Sequence, residues 1–167
     1  MELWDLYNEN REKITGKEHI RGNEIPDSCY HLVVHVWIKN SNGEFLISQR
    51  AADRKNAPLM WECVGGSVLK GEDSLSAALR EVKEEVGIEL AADKGKVLFT
   101  KVRKFVNGKK FNDILDVWLF EYDGDITLEN ATTNEVAQAK WMNKDEISDL
   151  FRNNLLVDTL SYFFDVL

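Results

Sequence analysis

The chain has 167 residues, of which 44% are hydrophobic and 30% are charged. This length and composition can bury the core of one soluble domain, so we predict a single domain over residues 1–167. The formal net charge of −8 argues against non-specific nucleic-acid binding, which needs a basic surface. No apolar run reaches membrane-spanning length, and the acidic N-terminus does not resemble a signal peptide. We therefore expect a cytoplasmic protein without a nucleic-acid or membrane partner.

The first 27 residues mix short apolar pieces with turn residues, which predicts an N-terminal hairpin extension. Residues 30–39 are rich in β-branched and aromatic side chains, as is typical of a buried strand. Residues 40–43 predict a turn, and residues 44–50 predict the antiparallel partner of that strand. A short apolar run at residues 59–64 then leads into a glycine-rich loop.

The most informative stretch covers residues 66–88 and reads GSVLKGEDSLSAALREVKEEVGI. Its apolar residues recur at a spacing of 3.6, which predicts a helix with one face toward a core. Asp73 or Ser74 can cap the start of this helix, and Gly87 can close its end. Glycines ahead of the helix allow the backbone to come close to a ligand. The predicted inner face consists of Leu75, Ala78, Leu79, Val82 and Val86.

Three glutamates of this helix, Glu81, Glu84 and Glu85, have the spacing i, i+3, i+4 and therefore share one face. Like charges this close weaken a helix unless a cation offsets them. Carboxylate oxygens suit hard divalent cations such as Mg²⁺ or Mn²⁺. The pattern therefore indicates a metal site, and the alternative is a solvated acidic face that binds nothing.

Residues 96–106 and 110–122 predict two long strands that are joined at Asn107-Gly108, a strong hairpin signal. Residues 139–142 predict a short strand, and residues 145–152 predict a helix. Apolar residues at intervals of three and four over residues 157–166 predict a C-terminal helix within the segment 153–167. From these patterns alone the fold class is α+β.

The stretch 66–88 resembles the Nudix box, G-x5-E-x7-R-E-U-x-E-E-x-G-U, where U is aliphatic. Every fixed position of the box is filled in this sequence. The matching residues are Gly66, Glu72, Arg80, Glu81, Val82, Glu84, Glu85, Gly87 and Ile88. This resemblance to the Nudix hydrolases implies an α/β fold with a mixed β-sheet in an α/β/α sandwich. The neighbouring elements fit the family over about residues 30–152.

The resemblance also implies a divalent-metal-dependent hydrolase that cleaves a phosphoanhydride bond in a nucleoside diphosphate derivative or a similar compound. Glu81, Glu84, Glu85 and the Gly66 carbonyl would hold Mg²⁺ or Mn²⁺. One of these glutamates would serve as base for the attacking water. Arg80 would complete the catalytic set by pairing with a box glutamate and orienting it. The substrate would be a small-molecule diphosphate, and the family resemblance suggests a homodimer.

Residues beyond the helix complete the predicted substrate site. Gly65 and Gly66 would let the backbone approach the substrate, and Arg50 could reach a phosphate from the preceding strand. Glu135 is a candidate further acid, because many Nudix enzymes recruit one from a later loop. Each of these charged residues could instead be a solvated surface group. Further cationic candidates are Arg54, Lys55, Arg103 and Lys104.

The N-terminal part resembles the Nudix subgroup that is related to type I isopentenyl diphosphate isomerase. That isomerase also binds a diphosphate and a divalent metal, but it moves a proton on carbon by means of a cysteine, a glutamate and histidine ligands. Here His31 matches one of the histidines, but Cys63 is displaced from the nucleophile-like position. Asp113 and Asp116 stand in the glutamate region. The alternative function is therefore an isomerase, and a third is a binding module without turnover.

The two cysteines, Cys29 and Cys63, lie outside any CxxC pair, which argues against a zinc site. We expect two buried free thiols in preference to a single disulfide.

Overall fold

Nine strands and three helices make up the fold in the computed structural model, which describes residues 1–167. The strands are β1 (Leu3–Tyr7), β2 (Lys13–Ile20), β3 (His31–Lys39), β4 (Phe45–Arg50), β5 (Trp61–Glu62), β6 (Val64–Ser67), β7 (Gly95–Val106), β8 (Lys109–Glu121) and β9 (Val136–Met142). The helices are α1 (Ser74–Val86), α2 (Lys144–Arg152) and α3 (Phe163–Val166). None of the helices has both the length and the apolar composition that crossing a bilayer requires.

A mixed sheet of seven strands forms the centre of the molecule. Its path runs β5-β4-β3-β8-β7, while β6 pairs with β3 and β9 pairs with β4. Strands β3 and β8 are parallel along nine residue pairs, from His31 beside Asp113 to Lys39 beside Glu121. The other pairs of this sheet are antiparallel. Strand β3 thus lies in the middle of the sheet, which explains its many apolar residues.

Helices cover both faces of this sheet. Because side chains alternate along a strand, Val34 and Val36 of β3 pack with α1 on one face. Trp37, from the other side of the same strand, packs with Ile147 of α2 and Phe163 of α3. The predicted α/β/α sandwich with a mixed sheet is therefore confirmed.

Helix α1 begins and ends at the residues that its capping signals predict. The Asp73 side chain accepts a hydrogen bond from the Ser76 N–H, and Gly87 closes the helix in the left-handed region with φ of 71°. The buried face differs slightly from the predicted one, because Ala77 is fully buried whereas Leu75 and Leu79 are only partly covered. Small side chains at positions 77 and 78 let the helix lie close to the sheet.

The predicted C-terminal helix over residues 157–166 is wrong. The segment holds one turn of 3-10 helix at Asp158–Leu160 and only the short α3. The Trp61 N–H donates to the Leu155 carbonyl at 2.7 Å, and the Val157 N–H donates to the Trp61 carbonyl at 2.9 Å. The start of this segment therefore forms a single parallel bridge between Leu156 and Trp61 of β5. Tertiary hydrogen bonds override the helical spacing of the apolar residues, because intrinsic helix preference is weak.

The N-terminal hairpin, formed by β1 and β2, supports the loop that precedes α1. The buried Asp5 carboxylate accepts hydrogen bonds from the Gly71 N–H at 2.8 Å and from Lys13 Nζ at 2.7 Å. The Lys70 N–H donates to the Leu3 carbonyl at 2.8 Å. The hairpin is thus joined directly to the glycine loop of residues 66–72.

Replacing Asp5 by alanine is expected to lower the free energy of unfolding by about 1–3 kcal/mol, because the Gly71 N–H and Lys13 then lose their partner. Urea unfolding followed by circular dichroism measures this change. The matched control is Glu2→Ala, since Glu2 forms only an exposed ion pair with Arg21 and such pairs contribute at most about 1 kcal/mol. Equal stability of the two variants would show that the hairpin does not support the loop.

Candidate active site

A cavity of about 650 Å³ lies over the start of β6 and the acidic face of α1. It is lined by residues of α1, of strands β3 to β8 and of the neighbouring loops. All of the predicted catalytic and substrate residues line it, namely Arg50, Gly65, Gly66, Arg80, Glu81, Glu84, Glu85 and Glu135. Glu2, Glu62 and Asp113 line it as well, so that seven carboxylate side chains surround one space.

Arg80 connects the box glutamates to one another. Its Nε and Nη2 donate to the two oxygens of Glu72, both at 2.9 Å. Its Nη1 donates to Glu81 at 2.8 Å and to Glu84 at 3.1 Å, while Nη2 also reaches the Ser67 carbonyl at 3.0 Å. Arg80 therefore orients two of the three clustered acids and also ties the helix to the loop. Glu72 is a structural member of this group.

Burial raises the pKa values of two glutamates that line the cavity, Glu81 and Glu85. Burial raises the pKa of Glu81 to about 7, and the nearby charges of Glu84 and Glu135 act in the same direction. Burial raises the pKa of Glu85 well above its ordinary value, with further repulsion from Glu81 and Glu62. No hydrogen bond to Glu85 offsets this effect. The charged form of Glu85 therefore lacks a partner, which a bound cation would supply.

Gly66 makes room for one of these carboxylates. A Cβ atom built at Gly66 would overlap the Glu81 carboxylate, so the acid rests directly on the backbone of β6. A Cβ atom at Gly65 would instead lie 2.7 Å from the Val34 carbonyl of the neighbouring strand. The two glycines thus serve different purposes: Gly66 admits a carboxylate, and Gly65 admits the backbone of β3.

Gly66→Ala is expected to leave the fold nearly unchanged, because the flexible Glu81 side chain can turn aside. Turnover and divalent-metal affinity should each fall by about tenfold or more, because the displaced Glu81 carboxylate would no longer reach the proposed metal position. Gly65→Ala is the matched variant, and its contact with rigid backbone should cost about 1–3 kcal/mol of stability. Isothermal titration with Mn²⁺ and thermal unfolding separate the two effects. A Gly66→Ala variant with normal metal affinity would contradict this role.

Two arginines of the cavity are paired with acids that lie outside the helix. Arg50 Nη1 donates to Glu62 at 2.5 Å, and its Nε donates to the Asn56 carbonyl at 3.0 Å. Arg54 pairs with Glu135 at 2.7 Å. Burial raises the pKa of Glu62 despite its arginine partner. The predicted substrate residues Arg50 and Glu135 therefore reach the cavity, but both are already paired.

Glu62 is the cavity acid that the sequence prediction missed. It lies on β5 between the buried residues Trp61 and Cys63. This alternation of inward and outward residues is the period of a strand, so a strand pattern could have marked Glu62 as facing away from the core. Its two-residue strand is too short for the pattern to stand out from the sequence.

A hard divalent cation fits the chemistry of these donors. They are carboxylate oxygens with excess negative charge, which suit Mg²⁺ or Mn²⁺, and Glu85 has no hydrogen-bond partner to offset its burial. Arg80 occupies one oxygen of Glu81 and one of Glu84. No three acidic, histidine or cysteine side chains converge here as a ready-made metal cage. The fit therefore rests on the donor set and its charge.

The residues in the isomerase-like positions make other contacts. Cys63 is a buried free thiol, and burial raises its pKa well above the ordinary value, which opposes thiolate formation. Asp113 pairs through both oxygens with Arg103 at 2.7 Å. Asp116 is bound by Arg11 and by the Thr100 hydroxyl. The two aspartates therefore belong to separate ion pairs and do not form a joint acidic site.

Taken together, the mixed-sheet sandwich, the glycine loop and the helix with clustered carboxylates define an α/β/α protein with an acidic cavity beside the glycine loop. Comparison with known proteins is specific about the family. The NUDIX domain model matches residues 30–160. An uncharacterized Nudix hydrolase of Listeria monocytogenes is 40% identical over 168 residues, which cover 98% of this chain and 91% of that protein. The chain belongs to the Nudix hydrolase family.

Two further comparisons extend this result. The crystal structure of a Deinococcus radiodurans protein matches this chain with a TM-score of 0.71 at 21% identity. The match covers 93% of this chain and 92% of that chain, which supports the fold. The chloroplastic isopentenyl-diphosphate Delta-isomerase 1 of Cannabis sativa is 33% identical over 141 residues, which cover 75% of this chain and 48% of that protein. The resemblance to the isomerase-related subgroup is therefore confirmed as well.

Proposed function

We propose that this protein is a divalent-metal-dependent pyrophosphohydrolase that cleaves a phosphoanhydride bond in a nucleoside diphosphate derivative or a similar compound. The observation that carries the proposal is the concentration of carboxylates around one cavity, with Glu85 buried and without a hydrogen-bond or ion-pair partner. Such an arrangement is costly for folding unless a cation offsets the charge. The cost is explained if the site exists to bind metal and a diphosphate.

The proposed metal ligands are Glu81, Glu84, Glu85 and the Gly66 carbonyl. When bound there, Mg²⁺ or Mn²⁺ offsets phosphate charge and increases the acidity of a water molecule. One of the three glutamates then accepts the proton of the attacking water. Arg80 acts as a positioning residue, because it holds Glu81 and Glu84 through one guanidinium nitrogen.

The proposed phosphate contacts come from the end of β4 and the loop that follows it. Arg50 and Arg54 both line the cavity, and each is held by an acid, Glu62 or Glu135. A diphosphate is a stronger partner for a guanidinium than a single carboxylate, because it offers more charge and more acceptor oxygens. Glu135 is thereby available as the further acid of the site.

We also propose a cytoplasmic location and a homodimer, and both stay predictions.

The test is phosphate release from a panel of nucleoside diphosphate derivatives in Mg²⁺, in Mn²⁺ and in EDTA. Cleavage that depends on the metal is expected, and it would identify the class of substrate. Isomerisation of isopentenyl diphosphate is followed in parallel. Isomerisation without cleavage would replace the hydrolase proposal with the isomerase alternative, and metal-independent cleavage would contradict the proposed metal ligands.

A further inference from the structure

A buried polar contact joins the C-terminal segment to the floor of the cavity. The Tyr162 hydroxyl lies 2.9 Å from Trp37 Nε1 and 2.8 Å from His35 Nδ1. The rings of His35 and Tyr162 are stacked with their centroids 5.8 Å apart. Tyr162 lies between the 3-10 turn at Asp158–Leu160 and α3, so this contact depends on the interrupted helical path of the segment.

The donors and acceptors of this contact favour one tautomer of His35. The Trp37 Nε1–H can only donate, so the Tyr162 oxygen accepts from it. The hydroxyl hydrogen is then available for His35 Nδ1. Cys63 is the other acceptor near the Tyr162 hydroxyl, but burial raises the pKa of this thiol and a neutral thiol is a weak acceptor. Because Nδ1 accepts, the single ring proton of neutral His35 is on Nε2. Burial, which lowers the pKa of His35 to about 3, agrees with a neutral ring.

The Nε2 atom of His35 is open to the cavity. Two buried side-chain nitrogens lack a hydrogen-bond partner in this structure, Trp4 Nε1 and His31 Nδ1. His35 Nε2 has no protein partner either, but it is not among these buried atoms, so it is accessible from the cavity that His35 lines. His35 pairs with Gly65 of β6, one residue from the Gly66 backbone on which Glu81 rests.

We propose that His35 Nε2–H donates a hydrogen bond to an oxygen of the bound diphosphate, and that Tyr162 is the positioning residue that holds His35 in this tautomer. The inference rests on the proposed diphosphate substrate. It gives the substrate a neutral donor on the floor of the cavity, beside the acidic metal site. It also gives the C-terminal segment a role in binding.

The binding test uses imidodiphosphate with Mg²⁺ as a probe that is not hydrolysed, measured by isothermal titration calorimetry. His35→Leu removes the donor and is expected to weaken binding by about tenfold or more, as for a hydrogen bond to a charged group. His35→Gln places an amide N–H near the position of Nε2 and should restore most of the affinity. Tyr162→Phe should weaken binding by about threefold. His19→Gln is the matched control, because His19 lies outside the cavity and contacts the Asn23 carbonyl.

The tautomer is read directly by long-range ¹H–¹⁵N NMR of the histidine rings. The chain has three histidines, so the His19→Gln and His35→Gln variants assign their signals. The expected result is a protonated Nε2 and an unprotonated Nδ1 at His35, and a mixture of both tautomers in Tyr162→Phe. A protonated Nδ1 in the wild type would overturn the proposal, as would unchanged imidodiphosphate affinity in a folded His35→Leu protein or no binding of the probe by the wild type.

The outcomes separate this proposal from the proposed hydrolysis. A silent hydrolysis panel with imidodiphosphate binding that depends on His35 would remove the hydrolase function and leave the His35 contact standing. Metal-dependent hydrolysis together with normal probe binding by His35→Leu would support the hydrolase function and remove the His35 contact. Thermal unfolding of each variant shows whether it is folded before binding is compared.

Discussion

Glu85→Gln is expected to lower turnover by at least about 10²-fold with the fold retained, as for loss of a metal ligand that acts through charge. Glutamine has nearly the same shape as glutamate, so the packing of α1 should survive. The metal-free variant should be at least as stable as the wild type, because a buried carboxylate with a raised pKa is replaced by a neutral group. Turnover in Mg²⁺ and thermal unfolding with and without Mg²⁺ measure both effects.

The same experiment includes Glu84→Gln and a control. Glu84 is more exposed than Glu85 and forms an ion pair with Arg80. Because Glu84 is also a proposed metal ligand, we expect Glu84→Gln to lower turnover by a similar factor. Glu89→Gln is the control, since Glu89 is exposed and pairs with Lys83 outside the cavity. Full turnover in either Glu84→Gln or Glu85→Gln would disprove the assignment of that residue as a metal ligand.

Arg80→Ala is expected to damage stability as well as activity. Arg80 binds three glutamates and one carbonyl. Because this cluster is only partly buried, we expect the loss of Arg80 to cost about 1–3 kcal/mol. The loss should be greatest without metal, because the acids of the cavity then repel one another without compensation. Added Mg²⁺ should recover part of the stability by binding only the folded state.

Chemical denaturation in EDTA and in Mg²⁺ measures this recovery directly. Arg80→Lys keeps the charge but cannot contact three acids through a planar fork, so its stability should be intermediate. Arg152→Ala is the surface control, because its exposed pair with Asp149 should contribute little. If Arg80→Ala unfolds at the same denaturant concentration as the wild type, Arg80 does not hold the acids together.

The sequence predicted the parts of the site that depend on neighbours along the chain. The acids Glu81, Glu84 and Glu85 share a face because helical geometry fixes where residues three and four apart lie. The caps at Asp73 and Gly87 follow from local backbone requirements. The Asn107-Gly108 turn was predicted for the same reason, and both residues have a positive φ. Each of these features needs information from only a few consecutive residues.

Pairing between strands that are distant along the chain decides which other side chains line the cavity. Glu135 reaches the site because the Ala51 N–H donates to its carbonyl and β9 pairs with β4. Glu62 faces the cavity because β5 continues the sheet from β4. No periodic pattern in the sequence shows that these two acids meet the helix glutamates. Strand pairing joins residues that are far apart along the chain, and its register follows from packing of the whole sheet.

The C-terminal segment shows the limit of local patterns most clearly. The apolar residues after Val157 have helical spacing, yet hydrogen bonds between Trp61 and residues 155 and 157 hold the chain in another path. That path brings Tyr162 to His35, 127 residues away along the chain. By itself the sequence determined the family, the acidic helix and its loop, because these are local and periodic. Only the tertiary structure decided which distant side chains complete the site, because burial and strand pairing outweigh the weak preferences of short segments.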